Sequence, residues 1–460
     1  MDLSYRVGSP RNTKQDSVLV SLIGSTKHCI PGFHVMNPNL APKPTSRLTF
    51  ASQTSGGNFS ASGRERPKVI IGHPMLGRGG SESFVMWLIE ALKRDYDVTV
   101  ATTGGWDRSA LNEFYGTGVE EDEVNVRIAP FPRPLQKRSA AALRGAAYQR
   151  FVRRIAGEYD VRISAYNITD WGLPAIHFIV DFSWHKGIRN RIDPPSPGFV
   201  YRDSLLRKAY LGLVAAIELP SGRELMRDDQ LIAISHWIAE TVQQDCGVEC
   251  AAMFYPPVWS EFPCISWEEK ENSFAMIGRI SPEKQVEKAI SILSAVRGSG
   301  HSIKLHLCGE IGDDLYGRRI AELCRNNADW IIAEGRVSGE RKASILARCR
   351  YGIQARSAEP FGISVAEMVK AGEIVFAPDD GGQAEILANP DLLFASESDA
   401  IAKIDRVLQS TSLQAAIHSS LREQSQSFST ASFISNIREF VKASVHKSGR
   451  PVAAIETRRS

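Results

Sequence analysis

Two glutamates late in the chain have the spacing of a charged ligand site. Glu359 and Glu367 stand eight positions apart, and Pro360 and Gly362 follow the first of them. Proline and glycine disfavour a continuous helix, whereas Ser364 and the apolar-patterned residues after it predict a capped helix start. We therefore expect Glu359 on a loop and Glu367 on a helix. Unpaired amides at that helix start would attract an anion, and a capped helix with two surface glutamates is the alternative.

A strand, a glycine-rich turn and a helix open the ordered part of the chain. Residues 69–71 predict a buried strand, Gly79 and Gly80 lie in the turn, residues 83–93 have helical periodicity, and 97–101 predict a second strand. The pattern indicates a βαβ unit of a parallel sheet. The loop lacks the G-x-G-x-x-G fingerprint, which disfavours a dehydrogenase. It either lets backbone approach a phosphate or sugar, or it serves packing alone.

The second half repeats the same pattern. Strands are predicted at 273–277, 303–309, 330–333, 351–355 and 373–377, with turns and helices between them. The sequence thus predicts an α/β protein with two Rossmann-like halves. The predicted segments are a disordered extension (1–66), a first Rossmann-like domain (67–256), a linker (257–271), a second Rossmann-like domain (272–430), a terminal helix (431–447) and a loose tail (448–460). A transit peptide is the less favoured interpretation of the extension.

Composition narrows the class of protein. A chain of 460 residues can form two or three domains, and a net charge of +3 argues against a protein that coats nucleic acid. The seven cysteines are scattered, and Cys246 and Cys250 lack zinc-like partners, so reduced thiols in a cytoplasmic protein and no metal site are expected. No apolar run approaches the length of a membrane-spanning helix, and no signal peptide is predicted.

His177 lies inside a strand predicted at residues 175–180, and Asp181, Trp184 and His185 follow as that strand ends. Ligands of open α/β sheets gather beyond the carboxyl ends of the strands. A lone histidine within a strand is more often a satisfied core residue. From spacing alone, a functional role and a core role both stand.

A basic stretch runs from Arg133 to Arg154. A basic amphipathic helix of this kind can lie on an anionic membrane surface or attract a phosphorylated acceptor, and a solvated helix face is the alternative. Its cations are Arg133, Lys137, Arg138, Arg144, Arg150, Arg153 and Arg154.

Five short motifs occur in one order along residues 68–445. They are Gly79-Gly80-Ser81-Glu82, Ser235-His236-Trp237 with Tyr255-Pro256-Pro257-Val258, Gly278-Arg279-Ile280-Ser281-Pro282-Glu283-Lys284, Glu359-Pro360-Phe361-Gly362 through Glu367, and Gly381-Gly382 before Glu385. Together they resemble the retaining glycosyltransferases of the GT-B fold, specifically glycosyltransferase family 4 (group 1). The second motif is most similar to the lipid-linked oligosaccharide mannosyltransferases of that family.

The resemblance implies two Rossmann-like domains that face a central cleft. It implies transfer of a hexosyl group, with mannosyl as one candidate, from a nucleotide-diphosphate sugar to a saccharide or lipid-linked acceptor in glycan or polysaccharide biosynthesis, with retention at the anomeric carbon. It also implies a cytoplasmic enzyme, peripheral on the inner face of a membrane if the basic stretch binds lipid. A nucleotide-sugar epimerase of the same fold and a non-catalytic nucleotide-sugar-binding protein are the alternatives.

The resemblance assigns Arg279 and Lys284 to the donor diphosphate. A guanidinium can form a forked contact and an ammonium a point contact with the departing diphosphate, so together they supply the positive charge of a metal ion. We therefore expect neither a cofactor nor an obligatory metal.

The remaining roles implied by the resemblance surround the donor. Glu359 would contact the donor sugar or stabilise its cationic transition state, Glu367 would bind the ribose hydroxyls, and His177 would lie near the reacting centre. Backbone groups of Gly79, Gly80, Phe361, Gly362 and Ile363 would approach the sugar and phosphates, and the turn of Arg336 and Val337 would border the base. One departure is Glu373, where many relatives have proline or an apolar residue, so the turn before the last long strand is expected to differ.

Overall fold

The computed structural model describes residues 66–131, 141–192 and 228–447, and the predicted extension and tail lie outside these ranges. In the first half, the described residues form a seven-stranded parallel sheet with strand order β3-β2-β1-β4-β5-β6-β7. Its strands are β1 (Lys68–Gly72), β2 (Asp97–Thr102), β3 (Val124–Ile128), β4 (Val161–Ser164), β5 (Ile176–Ile179), β6 (Gln230–Ala233) and β7 (Ala252–Met253).

A second parallel sheet contains six strands among the described residues, in the order β10-β9-β8-β11-β12-β13. In both sheets the order of the strands reverses beside the first strand of the sheet. This is the strand order of nucleotide-binding α/β domains. The expectation of two Rossmann-like halves is confirmed. The strands are β8 (Glu271–Ile277), β9 (Lys304–Cys308), β10 (Ile331–Gly335), β11 (Cys349–Ile353), β12 (Ile374–Pro378) and β13 (Leu393–Phe394).

Helices connect these strands and cover both faces of each sheet. None of those in the described ranges combines the length and apolar content needed to cross a bilayer. The helices are α1 (Gly80–Leu92), α2 (Arg108–Tyr115), α3 (Ala141–Ile155), α4 (Lys186–Ile192), α5 (His236–Cys246), α6 (Val286–Gly298), α7 (Leu315–Asn326), α8 (Gly339–Arg348), α9 (Ile363–Lys370), α10 (Gly382–Leu387), α11 (Glu397–Gln409), α12 (Thr411–Gln424) and α13 (Thr430–Lys447).

The carboxyl edges of the two sheets face each other. Ser235, just after β6, donates from Oγ to the carbonyl oxygen of Pro360, in the loop after β11, at 2.7 Å. The glycine turn after β1 also reaches the second domain, because a Cβ atom at Gly80 would lie 3.3 Å from Cδ1 of Ile363. Ligands of open α/β sheets bind at this edge, so the fold places a site between the domains.

The terminal helix returns to the first domain. The Phe433 ring of α13 meets the Phe84 ring of α1 edge to face, with centroids 5.8 Å apart, and Arg438 donates from Nε to the carbonyl oxygen of Ala91 at 2.7 Å. The terminal helix α13 thus packs against α1 of the first domain.

Glu373 is enclosed in the core of the second domain. Its side chain is 0% exposed, and neither carboxyl oxygen has a hydrogen-bond partner among the described residues. Burial raises the pKa of Glu373 well above its usual value, against the opposing charge of Lys270. The Lys270 ammonium instead donates to backbone carbonyl oxygens, among them that of Ala371 at 2.9 Å. The turn at Glu373 thus buries a carboxyl where an apolar residue would fit.

Replacing this carboxyl should stabilise the protein. We expect Glu373→Met to raise the free energy of unfolding at pH 8 by about 1–3 kcal/mol, because it removes an unsatisfied buried polar group. In the folded chain Glu373 stays protonated at pH values above 4.5, the ordinary pKa of a glutamate. The wild type should therefore lose stability as pH rises through the region above about 4.5, and the variant should lose less. Urea titrations between pH 4.5 and 8 measure both effects.

The exposed Glu322 of α7 is the matched control. Glu322→Met should change neither stability nor its pH dependence by more than about 0.5 kcal/mol. A less stable Glu373→Met protein at pH 8 would contradict the prediction.

Candidate functional site between the domains

The loop that carries Glu359 follows β11 and is fixed by the next loop of the same sheet. Glu359 pairs with Gly381 in an isolated parallel bridge, and Gly382 donates its backbone N–H to the carbonyl oxygen of Glu359 at 2.8 Å. Ala358 adopts φ +53°, which is uncommon for a residue with a side chain. Such conformations cluster at functional sites because the surrounding structure must hold them. Glu359 thus projects from a rigid loop, as predicted.

Lys284 pairs with Glu359 across the turn between β8 and α6. The Lys284 Nζ lies 2.8 Å from Glu359 Oε2, and the two side chains are 13% and 15% exposed. Arg356 adds a second cation, 3.6 Å from the same oxygen. Burial works against the charged carboxylate, but the charges of Lys284 and then Arg356 hold the pKa of Glu359 below its usual value. The site therefore contains a carboxylate that stays ionised and two cations that an anion could engage.

Arg279 lies at the mouth of this cluster. Its side chain is 80% exposed, and its guanidinium is 3.6 Å from Oε1 of Glu283. Its charge still contributes, as the smallest of the named influences, to the lowered pKa of Glu359. Arg279 is thus within electrostatic reach of the pair, with a side chain free enough to reorient toward a ligand.

The first turn of α9 points its amides at the same region. Gly362, the residue before the helix, has φ +101°, a conformation that residues with side chains avoid. Within the described part of the chain no side chain caps this helix start. The prediction that Ser364 caps it was wrong: Ser364 lies inside the helix, and its Oγ accepts from Gln354 at 3.3 Å. Uncapped amides and the helix dipole at this start can attract an anion, and the helix follows the loop whose Glu359 pairs with Lys284.

Phe361 holds this loop in place through its ring. The ring is 2% exposed and packs against the rings of Tyr255 and Phe428, with centroids 5.6 and 5.7 Å away. The role of its backbone toward a ligand stays a prediction.

Glu367 lies on α9, as predicted, but it is buried and paired. Its Oε1 accepts from Ser260 Oγ at 2.6 Å and lies 2.5 Å from Lys342 Nζ. A ribose would have to share or displace these contacts. The ribose-binding role of Glu367 therefore stays a prediction, with Lys342 as the group that competes for the carboxylate.

Glu385 of the second domain forms hydrogen bonds with the first domain next to the Glu359 loop. Its carboxylate accepts the backbone N–H groups of His236 at 2.9 Å and Trp237 at 2.7 Å, and the hydroxyl of Tyr255 at 3.2 Å. The second domain thus caps the first turn of α5, in addition to its own cap by Ser235. The carboxylate and the two amides form an interdomain contact that the sequence interpretation did not identify.

Two further predicted contacts lie at the same edge of the second sheet. Arg336 and Val337 follow β10 directly, and Arg336 is 63% exposed with its guanidinium 3.8 Å from Glu310. Val337 is partly buried against the core. The turn is therefore placed where a base could lie, and its role stays a prediction.

The glycine turn of the first domain is held by a buried tyrosine. The Gly79 backbone N–H donates to the Tyr115 hydroxyl at 2.7 Å, and that hydroxyl donates toward the carbonyl oxygens of Gly77 and Gly79 at 3.0 and 2.7 Å. The helix after the turn begins at Gly80 rather than at Ser83 as predicted. With Gly80 against Ile363, the turn lies close to the start of α9.

His177 is not brought to these residues. Its ring is 1% exposed, its Nδ1 shares a hydrogen bond with Ser164 Oγ at 3.0 Å, and its Nε2 lies 3.5 Å from Asp229. These contacts all lie within the first domain. The placement is that of a core histidine and does not support a catalytic role.

The residue that the sequence interpretation missed at the centre of the site is Arg356. It lies in the loop after β11, three positions before Glu359, and its carbonyl oxygen accepts from the Gln383 amide at 2.7 Å. The sequence signal that could have identified Arg356 is its position three residues before Glu359.

The second domain matches a known family. Residues 259–424 match the model described as "Glycosyl transferases group 1", and this segment contains Lys284, Glu359 and Glu367. None of the curated proteins compared matches the chain in sequence.

Solved structures share the whole fold at low sequence identity. Sucrose-phosphate synthase from Thermosynechococcus elongatus has 16% identity and a TM-score of 0.62, covering 83% of this chain and 100% of that one. WaaG, a glycosyltransferase involved in lipopolysaccharide biosynthesis, has 17% identity and a TM-score of 0.59, covering 81% and 99%. HepE of Anabaena, in complex with UDP and glucose, has 15% identity and a TM-score of 0.57, covering 82% and 100%. The fold is GT-B.

Proposed function

We propose that the protein is a retaining glycosyltransferase of family 4. It moves a hexosyl group from a nucleotide-diphosphate sugar to a hydroxyl of a saccharide or lipid-linked acceptor in glycan or polysaccharide biosynthesis. The observation that carries this proposal is the buried pair of Lys284 and Glu359 beside the uncapped start of α9. It places a cation, a carboxylate and free amides at one point of the cleft.

The diphosphate would bind between the cations and the helix start. Lys284 and Arg356 would exchange part of their interaction with Glu359 for phosphate oxygens, and Arg279 would turn inward to add a forked contact. These charges and the α9 amides would stabilise the negative charge that develops as the diphosphate leaves, which is the role a metal plays elsewhere. We propose on this ground that transfer needs no divalent ion.

Glu359 would act on the sugar itself. Its depressed pKa keeps it ionised, so it can bind donor hydroxyls and favour positive charge at the anomeric carbon. The Arg336 and Val337 turn would border the base, and Gly79 and Gly80 would let the first domain approach the phosphates. The acceptor would bind on the side of the first domain.

UDP-glucose is the first donor to test, because HepE of Anabaena was solved with UDP-glucose. GDP-mannose is the second, because the Ser235-His236-Trp237 motif is similar to that of mannosyltransferases. We expect nucleotide release from one of these donors to rise when an acceptor is added. Conversion of the donor sugar without acceptor would indicate an epimerase instead, and nucleotide binding without turnover would indicate a binding protein. NMR of the product would show whether the anomeric configuration is retained.

The described part of the basic stretch exposes arginines, whereas its large aromatic side chains are buried. Three of its predicted cations lie outside the described residues, and the apolar residues of α3, among them Tyr148, Phe151 and Val152, are buried in the first domain. Arg150 and Arg154 are exposed, whereas Arg153 also pairs with Asp170 at 2.6 Å. We propose an electrostatic contact with anionic lipid, on the cytoplasmic face of a membrane, without insertion of the helix.

Removing two of these charges tests that contact. We expect the double variant Arg150→Gln, Arg154→Gln to bind phosphatidylserine vesicles roughly 30-fold more weakly, since each arginine contributes about 1 kcal/mol near an anionic surface. Vesicle co-sedimentation at low salt measures this. Arg318→Gln, Arg319→Gln on the exposed face of α7 is the matched control. Equal binding by the two double variants and the wild type would exclude the contact.

A further inference from the structure

Polar residues gather at the carboxyl end of the first sheet, outside the donor site. His73 follows β1 directly, Tyr166 lies two residues after β4, and Asp181 lies two residues after β5. Because β1, β4 and β5 are neighbours in the sheet, their ends bring these side chains together. The rings of His73 and Tyr166 are 5.5 Å apart, and the Tyr166 hydroxyl donates to Asp181 Oδ2 at 3.1 Å. The cluster occupies the point where the strand order reverses, where such sheets bind ligands.

His73 has a hydrogen-bonding atom that the fold leaves unused. Its ring is 4% exposed, and its Nδ1 accepts the backbone N–H of Met75 at 3.3 Å. In the neutral ring this contact assigns the proton to Nε2. Burial lowers the pKa of His73, which favours that neutral form, although the charge of Glu82 opposes the shift. Nε2 has no partner among the described residues. Buried donors are rarely left unpaired, so a ligand is the natural partner.

Glu82 is an acceptor whose charge acts on the His73 ring. It lies in the first turn of α1, and its Oε2 accepts from Ser81 Oγ at 2.8 Å. Burial, followed by the charge of Asp181, raises the pKa of Tyr166 to about 12, and the charge of Glu82 acts in the same direction. The carboxylate of Glu82 is thus close enough to influence both rings of the cluster.

The glycine turn links this cluster to the donor side. A Cβ atom at Gly79 would lie 2.4 Å from Glu82 Oε2, so the carboxylate lies over the turn. The next residue, Gly80, lies against Ile363 at the start of α9. A group bound by Glu82 would therefore lie on the first-domain side of a sugar held at α9.

We propose that the His73 Nε2–H and the Glu82 carboxylate form a subsite that binds a hydroxyl of the acceptor. This inference rests on the proposed transferase function and adds the residues that position the acceptor. A hydroxyl both accepts and donates a hydrogen bond: the imidazole N–H donates to its oxygen, and the hydroxyl donates to the carboxylate. The ligand class is a polyol or saccharide, and the subsite also admits water when no acceptor is bound.

Kinetics of donor breakdown test the subsite. The probes are UDP-glucose and GDP-mannose, with methyl α-D-glucoside, methyl α-D-mannoside or water as acceptor. With the donor that the wild type uses, we expect His73→Phe and Glu82→Gln to raise the KM for the methyl glycoside by about 10-fold or more, the loss expected for one such hydrogen bond. Nucleotide release to water should fall similarly, whereas the dissociation constant of the free nucleotide should change less than 2-fold. His73→Gln, whose amide N–H can replace Nε2–H, should recover most of the loss.

The controls make the same chemical changes elsewhere. His301→Phe alters a half-buried histidine that pairs with Asp405 in the second domain, and Glu90→Gln alters a glutamate of α1 that pairs with Lys93. Both should keep wild-type kinetics. A wild-type KM and water-dependent release in both His73→Phe and Glu82→Gln would overturn the subsite. A wild type that breaks down neither donor would contradict the proposed function itself. If His73→Phe does not fold, as judged by circular dichroism, Glu82→Gln decides, and wild-type kinetics of that variant would overturn the subsite.

Discussion

Glu359→Gln should abolish glycosyl transfer while the protein keeps its fold and its affinity for nucleotide. The amide has the shape of the carboxylate but cannot favour positive charge at the anomeric carbon, so we expect the rate of transfer to fall roughly 10²–10³-fold. Nucleotide affinity should be equal or slightly tighter, because Lys284 and Arg356, which lie 2.8 and 3.6 Å from Glu359, lose their competing anion. Steady-state nucleotide release and calorimetric titration measure the two quantities.

Glu322→Gln on the exposed face of α7 is the control for the chemistry of this substitution and should behave as the wild type. A Glu359→Gln protein that transfers sugar at the wild-type rate would remove Glu359 from the mechanism. An unfolded variant would be unexpected, because the Glu359 loop is also fixed by its backbone bridge to Gly381.

Lys284→Ala should lower the stability of the protein, raise the pKa of Glu359 and slow glycosyl transfer. The variant leaves Glu359, which is 15% exposed, with Arg356 as its remaining close cation. We expect a loss of about 1–3 kcal/mol in the free energy of unfolding, typical of a broken hydrogen bond to a charged group. The pKa of Glu359 should rise, because the largest charge that lowers it is lost. Lys284→Ala should therefore lose less stability than the wild type on acidification below about pH 4.5, since the folded-state and unfolded-state pKa values of this carboxyl lie closer together.

Transfer by Lys284→Ala should fall at least about 10²-fold, because the leaving diphosphate loses a fixed cation. Urea titrations over a range of pH and nucleotide-release kinetics check these effects. Lys304→Ala, at the exposed start of β9, is the matched control and should change neither. An unchanged transfer rate in Lys284→Ala would contradict the role of this cation.

Local patterns predicted the elements that carry the proposed donor site. Pro360 and Gly362 disfavoured a continuous helix and so placed Glu359 on a loop, and the apolar periodicity after Gly362 placed Glu367 on a helix. The pairing of Lys284 with Glu359 spans 75 positions, so no local pattern could show it. The motif resemblance suggested their common ligand, and the parallel order of β8 and β11 explains how their loops meet.

The features that sequence could not show are long-range contacts and elements with weak signals. Nothing in the strand that contains His177 reveals that Ser164 and Asp229 already occupy its ring. The strand β3 was not predicted because it lies at the edge of the sheet and is only partly buried. Ser364 resembles a helix cap in sequence, yet the residue before the helix is Gly362, with φ +101°, so the helix starts two residues earlier than predicted. Glu385 could not be assigned from sequence, because its partners are backbone amides of the other domain.

Calorimetric titration of UDP, GDP and ADP into the wild type, Lys284→Ala and Lys304→Ala tests the central claim most directly. If the Lys284 and Glu359 pair marks the donor site, one of the three nucleotides should bind the wild type with a measurable affinity. Lys284→Ala should bind that nucleotide at least about 10-fold more weakly, and Lys304→Ala should bind it equally well. Binding of none of the three, or equal affinity in the wild type and Lys284→Ala, would contradict the assignment of this cleft to a nucleotide-sugar donor.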